Sequence, residues 1–254
     1  MTLNRPFLKQ RAKEVIAASN PRVLTVGMVY LLLSVLVEYL GQRVLSVNIS
    51  QTEAMNYMNY VADGNYEYAM QYLDGMMPPV SANLIHALLT LTMYVIRAGF
   101  LLFLLNTVRS HAPAFGNLLD GFGFFPKVVL LVVLEGALIF LWSLLLFFPG
   151  IIAYYRYSQA MYLLVDDPKK SPIQCLRESR LLMQGHKGEL FGLDLSFLGW
   201  YLLGAFPVLG YAVQLWSRPY IATTKTLYYE HLLAQSGYFR RTEAAPEQGR
   251  DDTL

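Results

Sequence analysis

Charged residues are scarce in this sequence. Asp, Glu, Lys and Arg together make up 15% of its 254 residues, whereas soluble domains average about 25%. A globular protein of this length would have too few charges to cover its surface in water. Its hydrophobic content of 55% also excludes an intrinsically disordered chain. The composition therefore predicts a protein whose solvent is the lipid bilayer.

The sequence also lacks the residues and motifs on which several functions depend. Its one cysteine, Cys175, has no partner for an intramolecular disulfide. The net charge of +2 is too close to neutral to indicate a nucleic-acid partner. No HExxH, GxSxG, Walker A or paired CxxC motif occurs, and this closes the motif-based routes to protease, esterase, nucleotide and zinc chemistry. We predict no catalytic residue, no metal and no cofactor, and therefore a protein that is not an enzyme.

Long apolar runs dominate what is present. A helix needs about 20 residues to cross about 30 Å of hydrocarbon. Six segments approach that length, at about 23–44, 82–106, 128–148, 151–165, 190–206 and 209–232. Pro149-Gly150 separates the third from the fourth, Pro207 ends the fifth, and Arg218-Pro219 interrupts the sixth. The fold class predicted is all-α: a polytopic helical membrane protein with about six transmembrane helices in three hairpins.

The distribution of Lys and Arg predicts the orientation, because short cytoplasmic loops carry an excess of these residues. The first 22 residues contain five of them, and residues 44–96 contain none. The N-terminus is therefore predicted to lie in the cytoplasm. An even number of spans places the C-terminus on the same side. We expect a multi-pass protein of the cell membrane with both termini cytoplasmic.

Three regions follow from this topology. Residues 1–22 are predicted to form a cytoplasmic amphipathic N-terminal helix, 23–233 the six-span membrane domain, and 234–254 a polar, disordered cytoplasmic tail. The outer loop, 45–80, has Met and Tyr at helical spacing on both sides of Asp63-Gly64-Asn65. That loop is predicted to form a short helical hairpin on the outer surface of the membrane.

A cytoplasmic interfacial helix is predicted at 171–185. Ser171-Pro172-Ile173-Gln174 is typical of a helix start, and Gly185 of a helix end. The face that is predicted to be apolar consists of Cys175, Leu176, Ser179, Leu182 and Met183. Arg177 and Arg180 lie beside it, and we expect them to face lipid phosphates in the headgroup region. The alternative is that such a helix lies flat only to hide its apolar side.

Ionisable residues at membrane depth are costly and are functional candidates by default. The rise of 1.5 Å per residue places four charges from four helices about 11–15 Å from the cytoplasmic side. These are Arg97, Glu135, Arg156 and Lys225. Asp194 lies nearer the cytoplasmic edge and adds a second anion to the cluster if it reaches in. A second pair, Glu38 and Arg218, is expected about 21–22 Å away from that side, close to the outer surface.

The inner layer of charges leads to a hypothesis about function. We expect Arg97 to pair with Glu135, which leaves Arg156 and Lys225 to meet an anionic headgroup or carboxylate in a polar cavity. The alternative is that each charge forms a structural pair between helices or extends to an interface. The tyrosines around Arg156 are typical of an interfacial aromatic belt and favour that alternative for Arg156.

The first function considered is binding or transport of a lipid or small anionic amphiphile within the helix bundle. The alternative is a non-enzymatic accessory or scaffolding subunit of a membrane complex, and an intramembrane enzyme ranks third. The expected partners are membrane lipids and, for the accessory role, another membrane protein or a second copy of the chain. No nucleic-acid partner is expected.

Five stretches of the chain resemble the bacterial domain of unknown function 975 family. They are FLWSLLLFFPGIIAYYRYSQAMYLLVDDP at 140–168, SRLLMQGHKGELFGLDLSFLGWYLLG at 179–204, RPYIATTKTLYYEHL at 218–232, LKQRAKEVI at 8–16 and FGNLLDGF at 115–122. The long outer loop departs from the family. The resemblance implies a multi-pass integral membrane protein, mostly of Gram-positive bacteria, with no established activity and no catalytic residues to carry over. The chain is similar, more distantly, to membrane domains found with glycerophosphodiesterases.

Overall fold

Helices form almost all of the chain that the computed structural model describes, which is residues 3–46, 51–206 and 209–237. None of these residues is in a strand. A short 3₁₀ helix, Gly121–Phe124, lies between α6 and α7. The α-helices of the described ranges are α1 (Arg5–Ala18), α2 (Val23–Leu45), α3 (Gln51–Ala62), α4 (Tyr66–Met76), α5 (Val80–Val108), α6 (Asn117–Asp120), α7 (Phe125–Leu145), α8 (Phe147–Tyr157), α9 (Ala160–Asp166), α10 (Pro172–Leu182), α11 (Lys187–Leu195), α12 (Leu198–Gly204) and α13 (Leu209–Ser236).

Three helical segments of the described chain are long and apolar enough to cross a membrane. They are Val23–Leu45, Val80–Val108 and Asn117–Leu145. The first two are α2 and α5, and the third runs from α6 through α7. They coincide with the first three predicted spans. The prediction of an all-helical protein with membrane-length helices is confirmed, whereas the count of six spans is not.

The fourth and fifth predicted spans are each broken into two short helices. α8 ends at Tyr157 and α9 begins at Ala160, and α11 ends at Leu195 before α12 begins at Leu198. The longest of these four helices has 11 residues, which is about 16 Å of helix. None of them reaches across a bilayer alone.

A serine lies at each of these breaks. The Ser158 hydroxyl donates a hydrogen bond to the Tyr155 carbonyl (2.9 Å), and the Ser196 hydroxyl donates to the Leu193 carbonyl. Serine side chains compete with the helix for backbone partners in this way. Counting apolar residues missed both breaks because one serine hardly lowers the hydropathy of a run.

The sixth predicted span is one continuous helix of 28 residues, α13. The predicted interruption at Arg218-Pro219 is wrong, since the helix continues through Pro219. A helix that packs against neighbours tolerates the loss of the one backbone hydrogen bond that proline cannot make. Here the proline ring lies against Gly27 of α2, where an added Cβ would come within 2.5 Å of the Pro219 Cγ.

The chain divides into two units, which are described separately. The first unit consists of Met1–Leu31 and Tyr94–Leu254, and the second of Leu32–Met93. Within the second unit, α3 and α4 pack together as the predicted hairpin, with Gly64 in the turn at a φ of +72°. The Tyr60 ring stacks on Tyr68 at a centroid distance of 5.8 Å. Position 47–50 of the predicted outer loop lies outside the described residues, as do Pro207 and most of the predicted tail.

Protein, not lipid, covers the apolar faces of the two amphipathic helices. In α1 the buried residues are Leu8, Ala12 and Ile16, and α1 packs against α13. In α10 all five residues of the predicted face are buried, namely Cys175, Leu176, Ser179, Leu182 and Met183. α10 packs against α9 and α7. The composition of the face is as predicted, but these faces belong to the core of the first unit.

The polar side of α10 matches the sequence in detail. The Ser171 side chain accepts a hydrogen bond from the Gln174 amide at 3.2 Å, as an N-cap does. Gly185 follows the helix with a φ of +85°, a conformation that favours glycine. Arg177 and Arg180 are both exposed. Their contact with lipid phosphates stays a prediction.

Ser179 attaches α10 to the break between α8 and α9. Its fully buried hydroxyl donates to the Arg156 carbonyl at 3.0 Å and accepts from the Gln159 amide at 3.2 Å. We expect Ser179→Ala to lower the free energy of unfolding by about 1–2 kcal/mol, because it removes two buried hydrogen bonds. Circular dichroism of unfolding in detergent measures the change. Ser143→Ala, at an exposed serine of α7, is the control, and equal stability of the two variants would contradict the assignment.

α5 and the α6 segment touch backbone to backbone at two glycines. A Cβ added at Gly99 would lie 2.2 Å from the Leu118 carbonyl oxygen, and one added at Gly121 would lie 2.3 Å from the Val95 carbonyl oxygen. Backbone atoms cannot move aside as the end of a flexible side chain can. Small residues allow this kind of close approach between membrane helices, and these two positions require glycine.

The two glycines of the 3₁₀ helix provide a matched test of this contact. A Cβ at Gly123 would meet no atom within 4 Å, in contrast to Gly121. We expect Gly121→Ala to destabilise the protein by at least about 2 kcal/mol, because the methyl group overpacks the crossing. Gly123→Ala should leave the unfolding midpoint in detergent nearly unchanged. Similar midpoints for both variants would show that the crossing is not as close as described.

Candidate functional site

A cavity of about 250 Å³ with charged residues in its wall lies within the first unit. Four of the five predicted inner charges line it: Arg97 from α5, Glu135 from α7, Asp194 from α11 and Lys225 from α13. The depth estimates therefore grouped residues that do lie together. Ser158 and Gln159, at the break between α8 and α9, also line the cavity.

Lys225 and Asp194 form a salt bridge in this cavity. The Lys225 Nζ lies 2.7 Å from the Asp194 Oδ1, and both side chains are largely shielded from solvent. The other oxygen of Asp194 accepts a hydrogen bond from the Tyr155 hydroxyl at 3.3 Å. The hypothesis that Lys225 is free to meet a ligand is wrong, because α11 brings Asp194 within reach of it.

Arg97 and Glu135 do not form the predicted ion pair. Within the described ranges the two side chains are not joined by a salt bridge or a hydrogen bond, although the charge of Arg97 acts on Glu135 through space. Both line the cavity, with Arg97 exposed and Glu135 partly buried. The cavity thus contains one salt bridge, Lys225–Asp194, and two opposite charges, Arg97 and Glu135, that have no salt-bridge partner in the described chain.

Arg156 is the predicted inner charge that the structure places elsewhere. It does not line the cavity, and its guanidinium lies over the Trp142 ring of α7 at 5.7 Å from the centroid. Such a cation–π contact stabilises the arginine against an aromatic face. The outer residues are both exposed, Arg218 in the first unit and Glu38 in the second. Their pairing stays a prediction.

A charge cluster that the sequence analysis missed lies around Arg109, directly after α5. The Arg109 guanidinium makes two hydrogen bonds to the Asp166 carboxylate at the end of α9. Its Nε donates to the Glu230 carboxylate of α13 at 2.8 Å. The Tyr229 hydroxyl donates to Asp166 at 2.9 Å. One guanidinium therefore joins three helices.

The electrostatics of this cluster agree with its geometry. The hydrogen bonds to Asp166, together with the charges of Asp166 and Glu230, raise the pKa of the Arg109 guanidinium. The neighbouring Asp167 has a local role instead, since its carboxylate accepts a hydrogen bond from the Lys169 amide at 3.1 Å. A partner 57 residues away in the chain leaves no local signal, so the role of Asp166 was not foreseen.

Two stacked tyrosines connect this cluster to the cavity. Tyr162 lines the cavity and stacks on Tyr229 with a centroid distance of 5.0 Å. The Tyr162 hydroxyl also lies 3.4 Å from the Thr226 hydroxyl on α13. Tyr229 also donates a hydrogen bond to Asp166. The Arg109 cluster therefore helps to position Tyr229 and, through the stacked rings, Tyr162 in the cavity wall.

Removing the guanidinium would leave two carboxylates unpaired. Arg109, Asp166 and Glu230 are each about four-fifths shielded from solvent, so we expect Arg109→Gln to cost about 2–4 kcal/mol of stability. Arg11→Gln is the control, because the Arg11–Glu14 pair is more than half exposed and contributes less than about 1 kcal/mol. Chemical unfolding in detergent compares the two. A smaller loss for Arg109→Gln than for Arg11→Gln would contradict the assignment.

Metal and thiol chemistry receive no support from the described residues. Among residues 3–46, 51–206 and 209–237, no group of three or more His, Cys, Asp or Glu side chains is arranged to hold a metal ion. Cys175 is fully buried in α10, and this burial raises the pKa of its thiol to about 11. The thiol is therefore protonated at neutral pH and unreactive as a nucleophile.

The fold and the cavity define a class: a helical protein with three helices of membrane-spanning length and a charged cavity among its helices. Residues 144–236 match the family model described as Protein of unknown function (DUF975). This match supports the resemblance over residues 144–236, whereas the stretches at 8–16 and 115–122 lie outside it. It includes Asp166, Asp194 and Lys225, whereas Arg97 and Glu135 precede it. No curated protein and no solved structure matches the chain.

Proposed function

We propose that this protein binds a lipid or small amphiphile in its charged cavity, with the anionic group of the ligand at Arg97. The observation that carries this proposal is that Arg97 lines the cavity without a salt-bridge partner among the described residues. A guanidinium presents a fork of donors that matches phosphate and carboxylate groups.

The size of the cavity limits what enters it. Pockets that enclose a drug-sized ligand measure about 300–1,000 Å³, and this cavity measures about 250 Å³. A polar headgroup fits this volume, whereas a whole lipid does not. In this proposal the acyl chains stay in the surrounding hydrocarbon and only the headgroup enters.

The membrane topology belongs to the same proposal. α8 and α9 together cover residues 147–166, which is about 30 Å, and α11 and α12 cover residues 187–204, which is about 27 Å. We infer that each broken pair makes one crossing and α13 another, for six spans in the cell membrane with cytoplasmic termini. Irregular backbone at membrane depth is tolerated where it lines a cavity, and Ser158 and Gln159 at the first break do line one.

Lipid that remains bound during purification tests the proposal. We expect Arg97→Gln to reduce the lipid retained by the detergent-purified protein about tenfold, because it removes the charged hydrogen bonds to the anion. Native mass spectrometry measures the retained lipid. Arg218→Gln, at an exposed arginine that does not line the cavity, should match the unaltered protein.

A cavity-filling variant completes the design. Gly136 lines the cavity, and a Cβ added there would meet no atom within 4 Å, so Gly136→Leu fills space without a clash at the Cβ. This variant should also lose lipid. Equal retention by the unaltered protein, Arg97→Gln and Gly136→Leu would overturn the proposal. A protein that retains no lipid but elutes with a protein partner would instead favour the accessory role.

A further inference from the structure

We propose that the ligand of this cavity carries a primary ammonium group as well as its anionic group, as the headgroup of an aminophospholipid does. This inference rests on the proposed function and specifies its ligand. Two hydrogen-bond acceptors in the cavity wall, Gln159 and Glu135, carry the argument, together with the salt bridge that occupies Lys225.

Gln159 presents a buried acceptor that lacks a donor. Its side chain lines the cavity, and the residue is 3% exposed. The Nε2 donates to the Ser158 hydroxyl at 3.0 Å, which identifies the opposite end of the amide as the acceptor. That Oε1 has no hydrogen-bond partner in the described chain. Buried polar atoms are nearly always paired, so an unpaired one in a residue that lines a cavity indicates a ligand that donates.

Glu135 in its ionised form favours the same kind of group. An ionised carboxylate only accepts hydrogen bonds, and Glu135 has no salt-bridge partner among the described residues. Lys225, which together with Arg97 supplies the positive charge of this cavity, is already held by Asp194 at 2.7 Å. The cavity therefore offers a carboxylate and an amide oxygen to a donor of positive charge, and a guanidinium at Arg97 to an anion.

Common headgroups differ in how well they satisfy these groups. A headgroup with only an anionic charge satisfies Arg97 but brings no positive charge to the Glu135 carboxylate, even where its hydroxyls donate to the Gln159 oxygen. A quaternary ammonium neutralises Glu135, but it has no N–H to donate to the Gln159 oxygen. A primary ammonium supplies three N–H donors, and the phosphate beside it supplies the anion. Phosphatidylethanolamine has this combination.

Competition among three lipids tests the inference. The full chain is reconstituted in nanodiscs of phosphatidylethanolamine, phosphatidylcholine and phosphatidylglycerol in equal amounts with identical acyl chains, and native mass spectrometry counts the lipids retained. We expect enrichment of phosphatidylethanolamine on the unaltered protein. Glu135→Gln should lower its preference over phosphatidylglycerol about tenfold, and Gln159→Leu its preference over phosphatidylcholine by a smaller factor.

Controls separate this inference from the proposed function. Glu38→Gln, at an exposed carboxylate of the second unit, should keep the original preference. Retention of phosphatidylglycerol or phosphatidylcholine at least as strong as that of phosphatidylethanolamine would overturn the inference while leaving lipid binding intact. Unchanged preferences in both Glu135→Gln and Gln159→Leu would overturn it as well. Retention no greater than that of Gly136→Leu would overturn the proposed function itself.

Discussion

The contact between the Arg109 guanidinium and its two carboxylates is the interaction on which the cavity depends. It joins the end of α5 to α9 and α13, and these three helices carry Arg97, Tyr162 and Lys225 in the cavity wall. Charges that are shielded from water are stable only when they are paired. Mutual neutralisation therefore fixes the relative positions of three helices whose other contacts are mainly apolar and carry little directional information.

Polar groups of the backbone also need partners where a helix is broken inside this apolar chain. A helix interior satisfies its own backbone, and a break exposes amides and carbonyls that need new partners. At the break between α8 and α9, Ser179 of α10 provides partners for both the Arg156 carbonyl and the Gln159 amide. α10 is thus a structural support for an irregular segment, and its buried serine is the polar exception on an otherwise apolar face.

The sequence was sufficient to predict features that depend only on position along a helix axis. Run length predicted α2, α5 and α7, and the rise per residue grouped Arg97, Glu135 and Lys225 in one layer. It failed at pairings, because depth along an axis contains no information about rotation around that axis or about which helix is adjacent. The salt bridge of Asp194 with Lys225 was therefore not predicted. Arg156 was grouped with the inner charges by depth alone, although its side chain packs on Trp142.

The close crossing at Gly99 also bears on the energetics of the ligand binding proposed at Arg97, two residues earlier on α5. Backbone contact with the Leu118 carbonyl holds the main chain of this stretch in place before any ligand arrives. In the proposed complex, an anion at the guanidinium would restrict only side-chain torsions, and the entropic penalty of ordering a backbone segment would not arise. In thermodynamic terms, the absence of a side chain at Gly99 preorganises the backbone segment that carries Arg97.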